Sequence, residues 1–289
     1  MTIYNLGSIN IDHAYQVPNL PRPGETVAAT ELITGLGGKG ANQSIAIARA
    51  GGQVAHIGAV GPDGGWTVEA LRAAGVDTGA VREVVVPTGH AMITVDAAAE
   101  NAIVLFPGAN SRIDEEQVSA ALQQAAPGDW LLLQNETNGG VAAARAARGK
   151  GLRVAYCAAP FDAGAVAGIL PFVDLLSVNE GEAAQLRARL PEAALAGCDL
   201  LVTYGARGAA YIAADQTVKT RAFKVDPVDT TGAGDTFLGY ALAGFDGGLP
   251  IDVALHRASA AAALQVTRAG AAEAIPLDHE VAEFLAAQG

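Results

Sequence analysis

The sequence predicts an α/β fold of three layers: a mostly parallel central sheet, helices on both faces, and a small β-sheet lid. Three observations carry that expectation. From Gly52 onward, short β-rich runs alternate with amphipathic, Ala-rich runs, the strand–helix–strand order that builds parallel sheets. Two segments, Asp12–Thr34 and Thr88–Pro107, break the rhythm with extended patterns and little helix signal. Of 289 residues, 51% are apolar and 17% charged, which supplies a core and excludes disorder.

In chain order, the first strand ends in Gly7-Ser8-Ile9-Asn10-Ile11-Asp12. Asn10 and Asp12 stand two residues apart and so face one side, a spacing suited to vicinal hydroxyls. Pro18, Pro21, Pro23 and Gly24 punctuate the extended region that follows. Gly35-Leu36-Gly37-Gly38-Lys39-Gly40 satisfies G-x-G-x-x-G, yet it follows a hairpin-like stretch, and the next strand, Gln53–Val60, ends in no acidic residue. The dinucleotide reading fails on that context. A Walker A loop fails too, because Gly40 and Ala41 follow Lys39. What remains is a glycine turn over 37–43 leading into a helix over Ser44–Ala50. Its Lys39 and Asn42 are donors for a small polyhydroxylated molecule, brought close by backbone without side chains. Packing alone would not need Lys and Asn there.

The second extended region turns at Ala98, Glu100 and Asn101; with the first it makes a candidate lid, the plain alternative being two surface hairpins. Strands are expected at Trp130–Leu133, Arg153–Cys157, Leu175–Val178 and Leu200–Tyr204, and helices over Asp114–Ala125, Val141–Arg148 and Glu180–Arg189. Gln134-Asn135-Glu136 and Asn179-Glu180-Gly181-Glu182 fall at strand ends, where open α/β sheets place ligands. Asn179 is equally suited to cap the next helix, with Glu180 and Glu182 in its first turn. Tyr204-Gly205-Ala206-Arg207-Gly208 is a glycine-rich turn before another strand.

The sharpest cluster is Asp229-Thr230-Thr231-Gly232-Ala233-Gly234-Asp235-Thr236-Phe237, ahead of a helix-like run over Leu238–Gly244. Small residues at a helix start leave backbone N–H groups converging on one spot, an anion hole aided by the helix dipole. Asp235 in the first turn can cap the helix, as can Thr236, or take a proton from a hydroxyl attacking a phosphoryl group. Asp229 and Asp235 bracketing the Gly-Ala-Gly turn favour the catalytic reading.

Charge and targeting exclude other classes. Lys plus Arg is 18 and Asp plus Glu is 30, a net charge of −12, which argues against a nucleic-acid or anionic-membrane surface. Cys157 and Cys198 form neither a disulfide framework nor a metal site. His13, His56, His90, His256 and His279 show no metal spacing and read as surface or hydrogen-bonded structural residues. There is no basic and apolar leader at the N-terminus, and apolar runs such as 258–266 stop short of the roughly 20 residues of a membrane span. The expectation is a soluble, cytoplasmic protein.

With both glycine clusters placed, the chain resembles the PfkB-type carbohydrate kinases over nearly its whole length. The pieces run in order through Gly7–Asn10, Pro23–Thr26, Gly37–Gln43, Gly61–Gly64, Gly108–Asn110, Asn179–Glu182, Thr203–Gly208, Asp229–Phe237 and Val266–Ala271. The resemblance implies the ribokinase-like fold as a single kinase domain over 1–289, its lid from about 12–34 and 88–107. It implies ATP-dependent phosphorylation of a sugar hydroxyl, foremost ribose to ribose 5-phosphate, and a homodimer formed through the lids.

By the same resemblance, Asp235 is the base and the backbone of Gly232, Ala233 and Gly234 the anion hole. Asn10, Asp12, Gly38, Lys39, Asn42 and Glu136 position the sugar. Asn179, Thr203, Gly205, Ala206, Arg207, Gly208, Gly234 and Ser259 face the nucleotide, and Glu182 faces Mg²⁺ through water. Asp229, Thr231, Gln265, Arg268, Gly270 and Ala274 match a monovalent-cation site, usually K⁺, several through backbone oxygens. Two features depart from the family pattern. Cys157-Ala158-Ala159-Pro160 stands where Asn-Pro-Ala-Pro is common, and the stretch from Glu182 to Asp199 is short. Another sugar or a nucleoside is the sibling alternative. A non-catalytic sensor is disfavoured because Asp235 and its turn are intact.

Overall fold

Four consecutive residues, Trp130-Leu131-Leu132-Leu133, form a strand buried on both sides. Trp130 and Leu132 enter one hydrophobic core, and Leu131 and Leu133 enter the other. Such unbroken apolar strands belong to a parallel sheet covered on both faces. The computed structural model describes residues 1–98 and 100–288.

The chain runs β1 (Thr2–Leu6), β2 (Asn10–Gln16), β3 (Glu31–Gly37), α1 (Lys39–Arg49), β4 (Gln53–Val60), α2 (Gly65–Ala73), β5 (Asp77–Glu83), β6 (Gly89–Val95) and β7 (Asn101–Phe106). It continues through α3 (Glu115–Ala121), β8 (Trp130–Leu133), α4 (Gly140–Gly149), β9 (Arg153–Cys157), α5 (Ala163–Ile169), β10 (Leu175–Asn179) and α6 (Glu180–Arg189). The last elements are β11 (Asp199–Thr203), β12 (Ala209–Ile212), β13 (Thr217–Thr220), α7 (Ala233–Asp246), α8 (Ile251–Val266) and α9 (Asp278–Ala287).

The large sheet has nine strands in the order β13-β12-β11-β10-β9-β8-β1-β4-β5. Every strand from β11 to β5 runs parallel, and β12 and β13 add an antiparallel edge. Ile45 of α1, Leu238 of α7 and Leu255 of α8 fill one core; Val118 of α3, Ala144 of α4 and Leu186 of α6 fill the other. A separate four-stranded sheet, β3-β2-β6-β7, forms the lid. One residue, Gly38, links its β3 to α1.

Several boundaries differ from expectation, each for a local reason. Helix α1 starts at Lys39 instead of Ser44, so the glycine turn is already its first turn. Ala41 N–H donates to the Ser8 carbonyl at 2.8 Å and Asn42 N–H to the Gly38 carbonyl at 3.0 Å. Docking on the β1–β2 loop thus outweighs glycine's poor helix propensity. Asp114 caps α3, accepting from Gln117 N–H at 2.7 Å, and a 3₁₀ turn over 122–124 replaces its last turn. The lid strands begin at Asn10, and 17–30 is largely loop. The turn expected near Ala98 is held by Asp96, whose Oδ1 accepts from Ala98 and Glu100 N–H; Ala99 lies outside the described residues. Helix α8 escaped the periodicity argument because small apolar residues surround it almost completely.

Helices α1 and α7 cross at Gly239, where an added Cβ would sit 2.4 Å from the Cβ of Ala46. This close approach brings the starts of both helices together. Gly239→Ala should therefore destabilise by about 1–3 kcal/mol through overpacking, read as a lower urea midpoint. An unchanged midpoint would show that the crossing tolerates separation.

Candidate active site

Helix α7 starts with Gly232 as its N-cap in the left-handed region (φ 79°), and no side chain caps it. A left-handed cap strongly favours glycine. Ala233 N–H donates to the Thr230 carbonyl at 3.3 Å, while the N–H groups of Gly234 and Asp235 and the positive end of the dipole are left at a cleft of about 160 Å³. Lys39, Cys157, Asn179, Glu182, Thr203 and residues 232–235 are among its lining. A second cleft, also about 160 Å³, lies near the opposite ends of the strands, lined by Trp130, Arg153, Asp199 and Tyr211 among others. It has no glycine-rich helix start, and its carboxylate, Asp199, already accepts from the Tyr211 hydroxyl.

Asp235 is 8% exposed and caps nothing, which removes the plain reading of its position. Its Oδ1 accepts from Gln43 Nε2 at 2.7 Å and its Oδ2 from Asn42 Nδ2 at 3.2 Å. Two amides from one turn of α1 thus orient the carboxylate. The same negative charge holds the Lys39 ammonium above the ordinary lysine range, against the opposing effect of burial. The Cys157 thiol lines the cleft too, and burial pushes its pKa up to about 12. It is a neutral wall.

On the lid side, β2 carries Asn10 and Asp12, neither of which lines the cleft at Asp235. Asn10 Oδ1 accepts from Asn110 Nδ2 at 2.8 Å, and Asn110 is itself fixed by Ile9 N–H donating to its Oδ1 at 2.9 Å. Glu136 Oε2 accepts from the Ser8 hydroxyl and, at 3.0 Å, from Lys39 N–H. It therefore secures the Gly38–Lys39 corner. Of its neighbours, Gln134 turns into the interior and Asn135 donates to the Pro160 carbonyl at 2.9 Å. Neither joins the rim that sequence spacing suggested. Burial, then the Glu136 and Glu273 carboxylates, raises the Asp12 carboxyl to about 6, and its buried Oδ1 has no hydrogen-bond partner.

On the far side of the cleft, Asn179 Oδ1 accepts from Glu182 N–H and Glu182 Oε2 from Asn179 N–H, both at 2.8 Å. This capping box starts α6, so the capping reading holds, and both residues also line the cleft. Thr203 ends β11 at the cleft; residues 205–207 form a 3₁₀ turn whose Arg207 pairs with Glu180 at the surface. Ser259 of α8 is buried, its hydroxyl 3.5 Å from that of Thr220. Among the described residues, no three His, Cys, Asp or Glu side chains cluster to hold a metal. A single Glu182 suits Mg²⁺ carried mainly by phosphate and water.

The loop after β13 and the end of α8 close around Asp229. Its Oδ1 accepts from Thr231 N–H at 2.9 Å and its Oδ2 from Gly270 N–H at 3.1 Å. Gln265 Nε2 donates to the Thr231 carbonyl, leaving Gln265 Oε1 buried with no partner. An orphaned acceptor beside that loop fits a monovalent cation. Arg268 points its guanidinium at Glu280, 2.7 Å away, so only its backbone is available to the loop. Sequence reasoning missed Arg49, whose guanidinium donates to the carbonyls of Ala272, Glu273 and Ile275 and so braces the segment containing Ala274. It also missed Gln43 and Asn110, whose partners come from distant parts of the chain.

The Asp12 shift has a stability consequence. A carboxyl raised by folding contributes stability below the ordinary range, near 4, that is lost as pH climbs through about 6. Asp12→Asn should therefore raise the melting temperature, relative to the parent, more at pH 8 than at pH 5. An equal difference at both values would contradict a raised Asp12.

The pfkB family carbohydrate kinase model matches residues 2–278. Ribokinase of Haemophilus influenzae is 36% identical, covering 98% of each chain. Among solved structures, ribokinase from Cryptococcus neoformans in complex with ADP has a TM-score of 0.85 at 34% identity, covering 98% of each chain. Arabidopsis thaliana ribokinase complexed with ribose and ATP has a TM-score of 0.85 at 28% identity, again over 98% of each. An α/β sheet with a lid, an uncapped helix start and a buried carboxylate beside it agree with these matches, and the chain belongs to the PfkB family of carbohydrate kinases.

Proposed function

We propose that the protein transfers the γ-phosphoryl group of ATP to the 5-hydroxyl of ribose, giving ribose 5-phosphate and ADP. The carrying observation is Asp235, buried, oriented by two amides, and placed in the first turn of a helix whose N-terminus is left open. Asp235 takes the hydroxyl proton as that oxygen bonds to phosphorus and the bond to the β-phosphate oxygen breaks. The backbone at Gly232, Ala233 and Gly234, with Lys39, faces the charge on the transferred group; the Ala233 N–H would give up its 3.3 Å bond to the Thr230 carbonyl to do so. Asn10, Asp12, Asn42, Glu136 and the Gly38 backbone hold the sugar, and the lid excludes water.

Asn179, Thr203, the 205–208 turn and Ser259 take the nucleotide, and Glu182 would face Mg²⁺ through water, an ion that would supply charge neutralisation at the phosphates. Asp229, Thr231, Gln265 and Gly270, with backbone at Arg268 and Ala274, would hold K⁺, supplying a fixed charge that sets the 229–232 loop. The relatives named ribokinase support ribose over sibling sugars. Cys157, a thiol in the cleft wall, is the observation that keeps another sugar or a nucleoside as the second reading. The expected setting is a single kinase domain in the cytoplasm, without nucleic-acid or membrane partners; among the described residues no helix is long and apolar enough to cross a membrane.

The lid supports a homodimer. Registers Ala14↔Ile33, Ala14↔Ile93 and Ile93↔Ile103 place an apolar row on the face that carries Asp12. Ile33 is 51% and Ile103 57% exposed. A second copy laying the same face against it would bury both patches at once. Ile103→Glu is expected to shift sedimentation velocity from dimer to monomer; a parent chain that already sediments as a monomer overturns the assignment.

The function is tested by ADP release from Mg-ATP across a panel of sugars and nucleosides, in K⁺ and again in Na⁺. Ribose should lead, faster in K⁺. Asp235→Asn should keep sugar and ATP binding and lose about 10²-fold or more in turnover. Turnover at the parent rate would falsify the assignment of the base.

A further inference from the structure

A chain of buried polar side chains runs from the interior of the large sheet to Asp235, and no substrate role accounts for it. Asn5, Gln43, Ser44 and His56 are each 0% exposed, and Gln134 is 3% exposed. Burying that many polar groups is costly unless they satisfy one another. All but Gln134 Oε1, which is left without a partner, do so, and in one direction only.

The direction follows from the fixed end. The Gly7 carbonyl can only accept, so His56 Nε2, 3.1 Å away, carries the proton and Nδ1 is left as acceptor. The Ser44 hydroxyl donates to that Nδ1 at 2.8 Å and in turn accepts from Asn5 Nδ2 at 2.8 Å, whose other hydrogen goes to the Gly40 carbonyl. Asn5 Oδ1 then accepts from Gln134 Nε2 at 2.9 Å, and the same nitrogen donates to Gln43 Oε1 at 2.7 Å. With its oxygen occupied, Gln43 presents Nε2 to Asp235 Oδ1 at 2.7 Å. A flipped Gln43 would turn its carbonyl toward the carboxylate. Burial lowers the His56 pKa to about 4, so the imidazole stays neutral and the polarity of the chain holds at neutral pH.

We propose that His56, Ser44, Asn5 and Gln134 form a direction-locked chain that fixes the amide of Gln43, making Gln43 a positioning residue that holds Asp235 in its reactive orientation. The inference rests on Asp235 being the base. None of the five side chains needs to touch sugar or nucleotide, so the chain acts on turnover and leaves substrate affinity alone. Its members come from β1, α1, β4 and the residue that follows β8, so the orientation of the base is referred to the centre of the sheet and not to the lid.

The test is a double-mutant cycle read as kcat and KM. Gln43→Met, of similar length and without the amide, should lower kcat about 10-fold or more, with both KM values within about twofold. Ser44→Ala, which cuts the chain three links away, should lower kcat about threefold or more, with KM unchanged. In the Gln43→Met background, Ser44→Ala should cause no further loss, because the link it acts through is gone. Losses that multiply, or losses that appear in KM, overturn the proposal. Should Gln43→Met fail to fold, the smaller Ser44→Ala decides through the same split: an unchanged kcat sinks the idea. An inactive Asp235→Asn beside an unimpaired Gln43→Met would remove the chain and spare the base, whereas an active Asp235→Asn would remove both.

Discussion

The close crossing of α1 and α7 is the constraint on which the site depends. Asp235 belongs to one helix and the amides of Asn42 and Gln43 to the other. They meet only because Gly239 lets α7 settle against Ala46. From that contact follows a carboxylate held on both oxygens without capping its own helix. The helix start of α7 and the carboxylate therefore face the same volume.

The remaining architecture serves that junction from three directions. The parallel strands deliver Asn179 and Thr203 at their carboxyl ends, as open sheets place ligand contacts generally. The lid delivers Asn10 and Asp12 on one face of β2, where alternation puts residues two apart together. Behind α7, Asp229 ties residues 231 and 270, while Arg49 gathers three carbonyls of 272–275. This last connection makes α1 a shared part: its C-terminal end braces residues 272–275, and its N-terminal end orients Asp235.

Much of this was legible in the sequence, because the chemistry is local there. Gly232-Ala233-Gly234-Asp235 encodes a left-handed cap, an open helix start and a carboxylate within a few consecutive residues. The Asn10–Asp12 spacing likewise encodes a shared face. What escaped was long-range. Nothing local distinguishes Gln43, which meets Asp235 across 192 positions, or Asn110, which orients Asn10 across 100. Gln134 was misplaced on the rim because strand-end position does not say which way a side chain turns; the buried amide of Asn5 draws it inward. The start of α1 was misjudged since glycines suggested a loop, and only docking on Ser8 makes them helical.

The lid joins the body through residues 7–9, Gly38, 84–88 and Pro107, four short connections at the Asn10 end of its sheet, and these set its mechanics. Strand β3 has seven residues, about 23 Å of stiff arm at roughly 3.3 Å per residue. A rotation of about 10° about that end would sweep the outer end of the arm through about 4 Å on this strand rise, while Asn42 and Gln43, packed into the core, stay where they are. The lid is a lever whose fulcrum includes Gly38, the residue that leads into the helix whose amides hold Asp235. The arm can travel far enough to admit a sugar without the alignment at Asp235 being spent on each opening.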